Sequence, residues 1–152
     1  MTLNWQALSF DELSNRQLYA MLRLRSEVFV LEQDCVYQDL DDFDQDAVHV
    51  LGLDDAGAVA CCARLLAPGL KYSGASIGRV VTSPTLRGTG QGRALLAKAV
   101  QVCEERYPNT EITLSAQQHL ERFYAGFGFT TRSEPYLEDG IPHLKMTRES
   151  PR

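Results

Sequence analysis

The chain has 152 residues, of which 44% are apolar and 23% charged, with a formal net charge of −5. That length and composition fit one globular domain with a real core and exclude a disordered chain. An acidic balance repels phosphate backbones, so nucleic acid is not expected as a partner.

Met1 to Phe10 holds no basic region followed by an apolar run, so no signal peptide is expected. Leu3–Leu8 reads as a short first strand. Ser14 then starts a helix, with Gln17 placed to complete a capping box and Leu18, Met21, Leu22, Val28 and Phe29 at helical spacing. From Glu32 to Asp46 the chain changes character: Glu32, Asp34, Asp39, Asp41, Asp42, Asp44 and Asp46 occur without one Lys or Arg. This stretch reads as a loop with a broken helix. It is either a solvated acidic surface or a field that draws a cationic amine to a cleft.

Val48–Leu53 and Val59–Leu66 read as strands joined by Asp54-Asp55-Ala56-Gly57, and Ala75–Thr82 as a third strand of the set, stopped at Pro84. Ala94, Leu95, Ala99, Val100 and Cys103 form one apolar helical stripe, which Pro108 ends. Glu111–Ala116 alternates like a half-buried strand. Leu120, Phe123, Tyr124 and Phe127 recur at helical spacing, with Gly128 placed to cap them. Phe129–Arg132 and His143–Thr147 read as the last strands, with Glu138-Asp139-Gly140 in the turn between. Hairpins mixed with helical crossovers imply an α/β layered fold around a mixed sheet.

Cys35, Cys61, Cys62 and Cys103 contain no C-x-x-C pair, which disfavours a zinc or redox site, and no metal is expected. Reduced thiols in a domain of this size suit the cytoplasm. No run approaches the roughly 18 apolar residues of a membrane span, so no membrane partner is expected.

The most informative segment is Val80-Val81-Thr82-Ser83-Pro84-Thr85-Leu86-Arg87-Gly88-Thr89-Gly90-Gln91-Gly92-Arg93. A strand ends, and a glycine-rich turn opens a helix. Unpaired N–H groups at a helix start carry partial positive charge, and glycines let a bulky anion approach them. Arg87 adds a full charge. No Walker A string exists, and Arg93 stands where the last glycine of a dinucleotide fingerprint would be.

The string Arg87-Gly88-Thr89-Gly90-Gln91-Gly92 fits R-x-x-G-x-G and resembles the acetyl-CoA loop of the GNAT acetyltransferases. The likeness continues in Leu114-Ser115-Ala116-Gln117 and in Phe123-Tyr124-Ala125-Gly126-Phe127-Gly128-Phe129. Arg25–Gln33, Tyr37–Asp41 and Glu138–His143 are similar to the ElaA subgroup. The resemblance implies a single GNAT-like domain over residues 1–152. Its mixed central sheet would have about six or seven strands flanked by about four helices. It implies acetyl-CoA as acyl donor, bound by Val80, Val81, Thr82, Arg87, Gly88, Thr89, Gly90, Gln91, Gly92, Arg93, Gln117 and Tyr124. It also implies that Tyr124 protonates the leaving thiolate and that backbone N–H groups of Val80–Thr82 polarise the thioester carbonyl.

The glutamate that many GNAT enzymes carry on the strand before the coenzyme loop is missing: Ile77-Gly78-Arg79-Val80-Val81 offers only Arg79. Glu32, His49 and His143 are substitutes as general base, with a water relay as the alternative. His119 is set aside, on the polar side of its helix. The expected activity is transfer of acetyl to a primary amine, on a small polyamine-like molecule or a peptide, by direct attack without an acyl-enzyme. The alternative is an acyl-CoA-binding module with no chemistry. An exposed strand near the C-terminus would allow a homodimer.

Overall fold

The computed structural model describes residues 2–150. The chain opens with β1 (Asn4–Ser9) and α1 (Asn15–Arg25). Ser14 caps α1: its Oγ accepts from Gln17 N at 3.0 Å, and Gln17 Oε1 accepts from Ser14 N at 3.0 Å. The predicted capping box is therefore present in both directions. α1 runs without a break into a π-helix, Ser26–Glu32. The wider winding re-aims Phe29 and Glu32 relative to the buried Met21 and Leu24.

β2 (Val48–Leu53) and β3 (Val59–Leu66) form a hairpin, followed by β4 (Ala75–Thr82), α2 (Gln91–Arg106), β5 (Ile112–Gln117) and a short α3 (Glu121–Ala125). β6 (Thr130–Thr131), β7 (Tyr136–Glu138) and β8 (Ile141–Arg148) complete the described elements. The sheet order is β1-β2-β3-β4-β5-β8-β6, with β7 also on β8. Among the described strands only β4 and β5 run parallel, joined through the α2 crossover. The described residues thus form a sheet of eight strands with three α-helices packed on it. β7 was not foreseen, and the Glu138-Asp139-Gly140 turn joins β7 to β8. Asp139 and Gly140 have φ of 51° and 79°, as a tight two-residue hairpin requires. β8 is interior, between β5 on one side and β6 and β7 on the other, so the sheet edge near the C-terminus belongs to the short β6 and β7.

α2 and α3 pack on one face of the sheet around Leu95, Leu96, Leu114 and Met146; α1 packs on the other around Met21, Leu24, Leu51 and Val81.

The acidic stretch divides. Glu32, Asp34, Asp42 and Asp46 are exposed, whereas Asp39, Asp41 and Asp44 turn inward onto three arginines from three elements and are not a field aimed at a cleft. Arg25 meets Asp39 and Asp44, each at 2.8 Å. Arg64 meets Asp41 at 2.7 Å and Asp44 at 3.2 Å. Arg79 meets Asp39 at 2.8 Å and Asp41 at 3.2 Å. The six side chains close a ring in which every charge lies between two of opposite sign. Burial opposes ionisation of Asp41, but the Arg64 and Arg79 guanidiniums prevail and hold its carboxyl down at about 2. Asp44 is also held below its usual range, by Arg25 and Arg64 against burial.

Candidate active site

β4 and β5 pair only at Ala75↔Ile112 and Ser76↔Thr113, then diverge. A bulge accompanies the divergence. Cys62 faces Val81 and Arg64 faces Gly78, so Ala63 stands opposite two residues, Arg79 and Val80. Arg79 adopts φ +49°, a left-handed conformation that costs a non-glycine residue about 1–3 kcal/mol. Its ion pairs in the ring, and its position over the Tyr37 ring at 5.8 Å, over-determine that geometry.

The fork holds a cavity of about 450 Å³. Phe29 and Glu32 of the π-helix form one wall, Val80, Val81 and Thr82 another, and Gln117 and Tyr124 a third. Gln117 donates to Gln33 Oε1 at 3.4 Å, linking two of these walls. Arg87 lines the mouth and forms an ion pair there with Glu32.

Beyond Arg87 the chain turns into α2 through Gly88 (φ +76°) and Gly90 (φ +83°), which need glycine for backbone reasons. Gly92 lies in the first turn of α2 without that constraint. A Cβ on Gly88, Gly90 or Gly92 would meet nothing within 4 Å. Packing therefore explains none of the three, and the space is open to an approaching molecule. α1 has a side-chain cap, whereas the start of α2 has none. A pyrophosphate fits this cradle: open glycines, helix N–H groups without a side-chain cap, and an arginine beside them. Thr89, Gln91 and Arg93 belong to the same turn; the Arg93 guanidinium lies over the Phe123 ring at 5.9 Å, outside the cavity wall.

Tyr124 is buried, with its ring edge-on to Phe123 at 5.2 Å and Phe129 at 6.2 Å. Burial pushes its hydroxyl up to about 12, so it is a protonated phenol at neutral pH.

The three candidates for the base separate. Glu32 lines the cavity but is paired with Arg87. His49 is fully buried outside the cavity wall, with Nε2 2.9 Å from the Asp44 carbonyl. Burial pushes its pKa down, so it is a structural neutral imidazole. His143 lies opposite Gln117 on the next strand and does not line the cavity. His119, set aside on helical geometry, does line it. Gln118–Leu120 is a 3₁₀ turn preceding α3, so the α-helical spacing did not apply. Further wall residues escaped sequence reasoning, among them Gln33, Gly78, Tyr37 and Ser115. Gly78 carried the one usable signal, a glycine in a strand interior.

Cys61 and Cys62 are buried, and burial pushes both thiols up to about 12. Neither lines the cavity, so neither is placed as a nucleophile.

Residues 11–150 match the family described as an acetyltransferase (GNAT) domain. The protein ElaA of Escherichia coli is 45% identical over 149 residues, covering 97% of each chain. A UPF0039 protein of Synechocystis is 42% identical over 146 residues, covering 96% of this chain and 95% of its own. Among solved structures, an acyl-CoA N-acyltransferase from Pseudomonas aeruginosa superposes with a TM-score of 0.92 at 42% identity, covering 97% of this chain and 99% of that one. The crystal structure of E. coli ElaA gives 0.91 at 43% identity, covering 97% and 100%.

Proposed function

The chain belongs to the GNAT acetyltransferase family, on its ElaA-like branch, and from that premise we propose that it moves an acetyl group from acetyl-CoA to a primary amine by direct attack. The observation that carries this reading is the fork between β4 and β5, with an anion cradle at its mouth and a buried phenol on its wall.

Arg87, the backbone of Gly88–Gly92 and the side chain of Arg93 hold the coenzyme's phosphates. Backbone N–H groups of Val80, Val81 and Thr82, past the last β5 pairing, orient the pantetheine arm and polarise the thioester carbonyl. Gln117 fixes the opposite wall. Tyr124 gives its proton to the departing sulfur, which an unionised phenol can do. Glu32, paired with Arg87, serves the cradle. The acceptor is a small amine or a peptide amine. The reaction belongs in the cytoplasm, which suits four free cysteines. Among the described residues no helix is long and apolar enough to cross a membrane.

A second reading, an acyl-CoA-binding module without chemistry, is favoured by one observation: β4 carries no carboxylate. Calorimetry with acetyl-CoA and thiol release with a panel of primary amines separate the two. Arg87→Ala should weaken coenzyme binding about tenfold, the loss of one charge-assisted phosphate contact. Tyr124→Phe should lower kcat while the coenzyme Kd stays within a factor of about two. Binding without turnover on any amine selects the module. No binding removes both readings.

A further inference from the structure

We propose that the acceptor amine loses its proton through Ser115 to Glu138 on the β7–β8 hairpin, with His143 holding Glu138 in place. This rests on the transfer reading above and fills the position left by the missing β4 glutamate.

Asp39, Asp41 and Asp44 are engaged in the arginine ring, and Glu32 lies at the mouth beside Arg87, on the phosphate side of the cavity. Ser115 is a hydroxyl on the cavity wall. Its Oγ lies 2.6 Å from the Tyr136 hydroxyl and 3.4 Å from each carboxylate oxygen of Glu138. Strand alternation assembles this group. Leu114 and Ala116 enter the core under α2, so Ser115 and Gln117 face the other way. His143 is opposite Gln117, and Tyr136 is opposite His143, which places Tyr136 and Glu138 on the same face.

His143 is a fixed support. Its Nδ1 is 2.7 Å from the Ile141 carbonyl, which can only accept, so Nδ1 carries a hydrogen. With Nδ1 so occupied, Nε2 can donate to an ionised Glu138 Oε2, 3.3 Å away, only as the doubly protonated imidazolium, and it is in that form that His143 holds Glu138. The imidazole is buried and stacked on Tyr136 at 6.3 Å, which prevents it from swinging away. The Glu138 side chain is 44% exposed, so a proton received there can pass to water. Lys71 and Tyr72, from the β3–β4 connection, also face Glu138, and Asp139 adjoins it.

The ammonium gives one proton to Ser115 Oγ, which passes its own to Glu138. The freed nitrogen lone pair bonds to the acyl carbon, the C–S bond breaks with its electrons on sulfur, and Tyr124 protonates the sulfur. The second nitrogen proton leaves by the same path, and Tyr124 regains one from water. One proton is released per acetyl transferred.

The test uses the full chain, acetyl-CoA, and spermidine and glycylglycine as probe acceptors, followed by thiol release across pH. Glu138→Gln should lower kcat about 100-fold or more and remove the acid limb of the kcat/KM profile. Its acetyl-CoA Kd, by calorimetry, should stay within about twofold, since Glu138 does not touch the cradle. Glu138→Asp should recover part of the rate and restore the acid limb, which a purely structural role would not do. Ser115→Ala should lose rate as Glu138→Gln does, and with Glu138→Asp it decides the matter if Glu138→Gln misfolds. A Glu138→Gln enzyme with an unchanged pH profile overturns the proposal. A wild-type chain that binds acetyl-CoA yet transfers to neither probe overturns it too, while leaving coenzyme binding standing.

Discussion

Gly92 stands in the first turn of α2, where a Cβ would meet nothing within 4 Å. Glycine in a helix is less favourable than alanine by up to about 1 kcal/mol, so nothing inside the chain explains it. The proposed approach of acetyl-CoA to the helix backbone would. Gly92→Ala should therefore raise the thermal midpoint by a few degrees and weaken acetyl-CoA binding, the two effects read by calorimetric unfolding and titration. Gly88→Ala and Gly90→Ala should lower stability instead, because both sites have positive φ. A coenzyme affinity unchanged in Gly92→Ala would remove the cradle assignment at that position.

The segment between the π-helix and β2 has little regular structure, with one 3₁₀ turn at Asp44–Asp46. Charge anchors it as the ring of Arg25, Arg64 and Arg79 with Asp39, Asp41 and Asp44. Asp44 contacts two arginines that are nearly inaccessible to water. Asp44→Asn leaves both short of a counter-charge, and removing one partner of a buried pair costs about 3–5 kcal/mol. Urea unfolding should show that loss. A change below about 1 kcal/mol would mean that the ring relaxes around the substitution. The sequence exposed this segment only partly. Its run of acidic residues was plain, and so were the capping box, the β2–β3 hairpin and the glycine turn, because each is written within a few neighbouring residues. The partners of the aspartates were not legible, since Arg64 and Arg79 come from strands 23 and 38 residues away from Asp41. The same applies to the wall residue Ser115. Its neighbours Tyr136 and Glu138 belong to a three-residue strand, too short for any alternation to declare it. His119 was misplaced because a 3₁₀ turn and an α-helix share composition but not angular spacing.

For the molecule as a whole, the buried ionisable groups set an acid limit to stability. His49 has a folded pKa below its ordinary value, so the folded chain holds it neutral. Its contribution is complete above the unfolded value of about 6.5 and is lost as pH falls through the lower folded value. Asp41 and Asp44 are also depressed, so theirs is complete above about 3.9 and is lost as pH falls toward the folded values, about 2 for Asp41. Stability should decline in two stages below neutrality, and His49→Gln should flatten the first if the amide keeps the bond to the Asp44 carbonyl. Urea midpoints measured from pH 7 to pH 3 would show whether the first stage exists.

The fork carries another consequence. Two residue pairs are the ladder joining β4 to β5, whereas β3 and β4 share five and β5 and β8 share six. The sheet is thus two panels with a short seam. One panel holds β1–β4, and the other holds β5 with β6, β7 and β8. Amide hydrogens along the open length should exchange with solvent sooner than those within either panel. A guest lodged in the gap and hydrogen-bonded to β4 would act as a missing rung between the panels. Cooperativity of the fold would then depend on occupancy, and the empty protein would breathe along a line that the loaded one does not have.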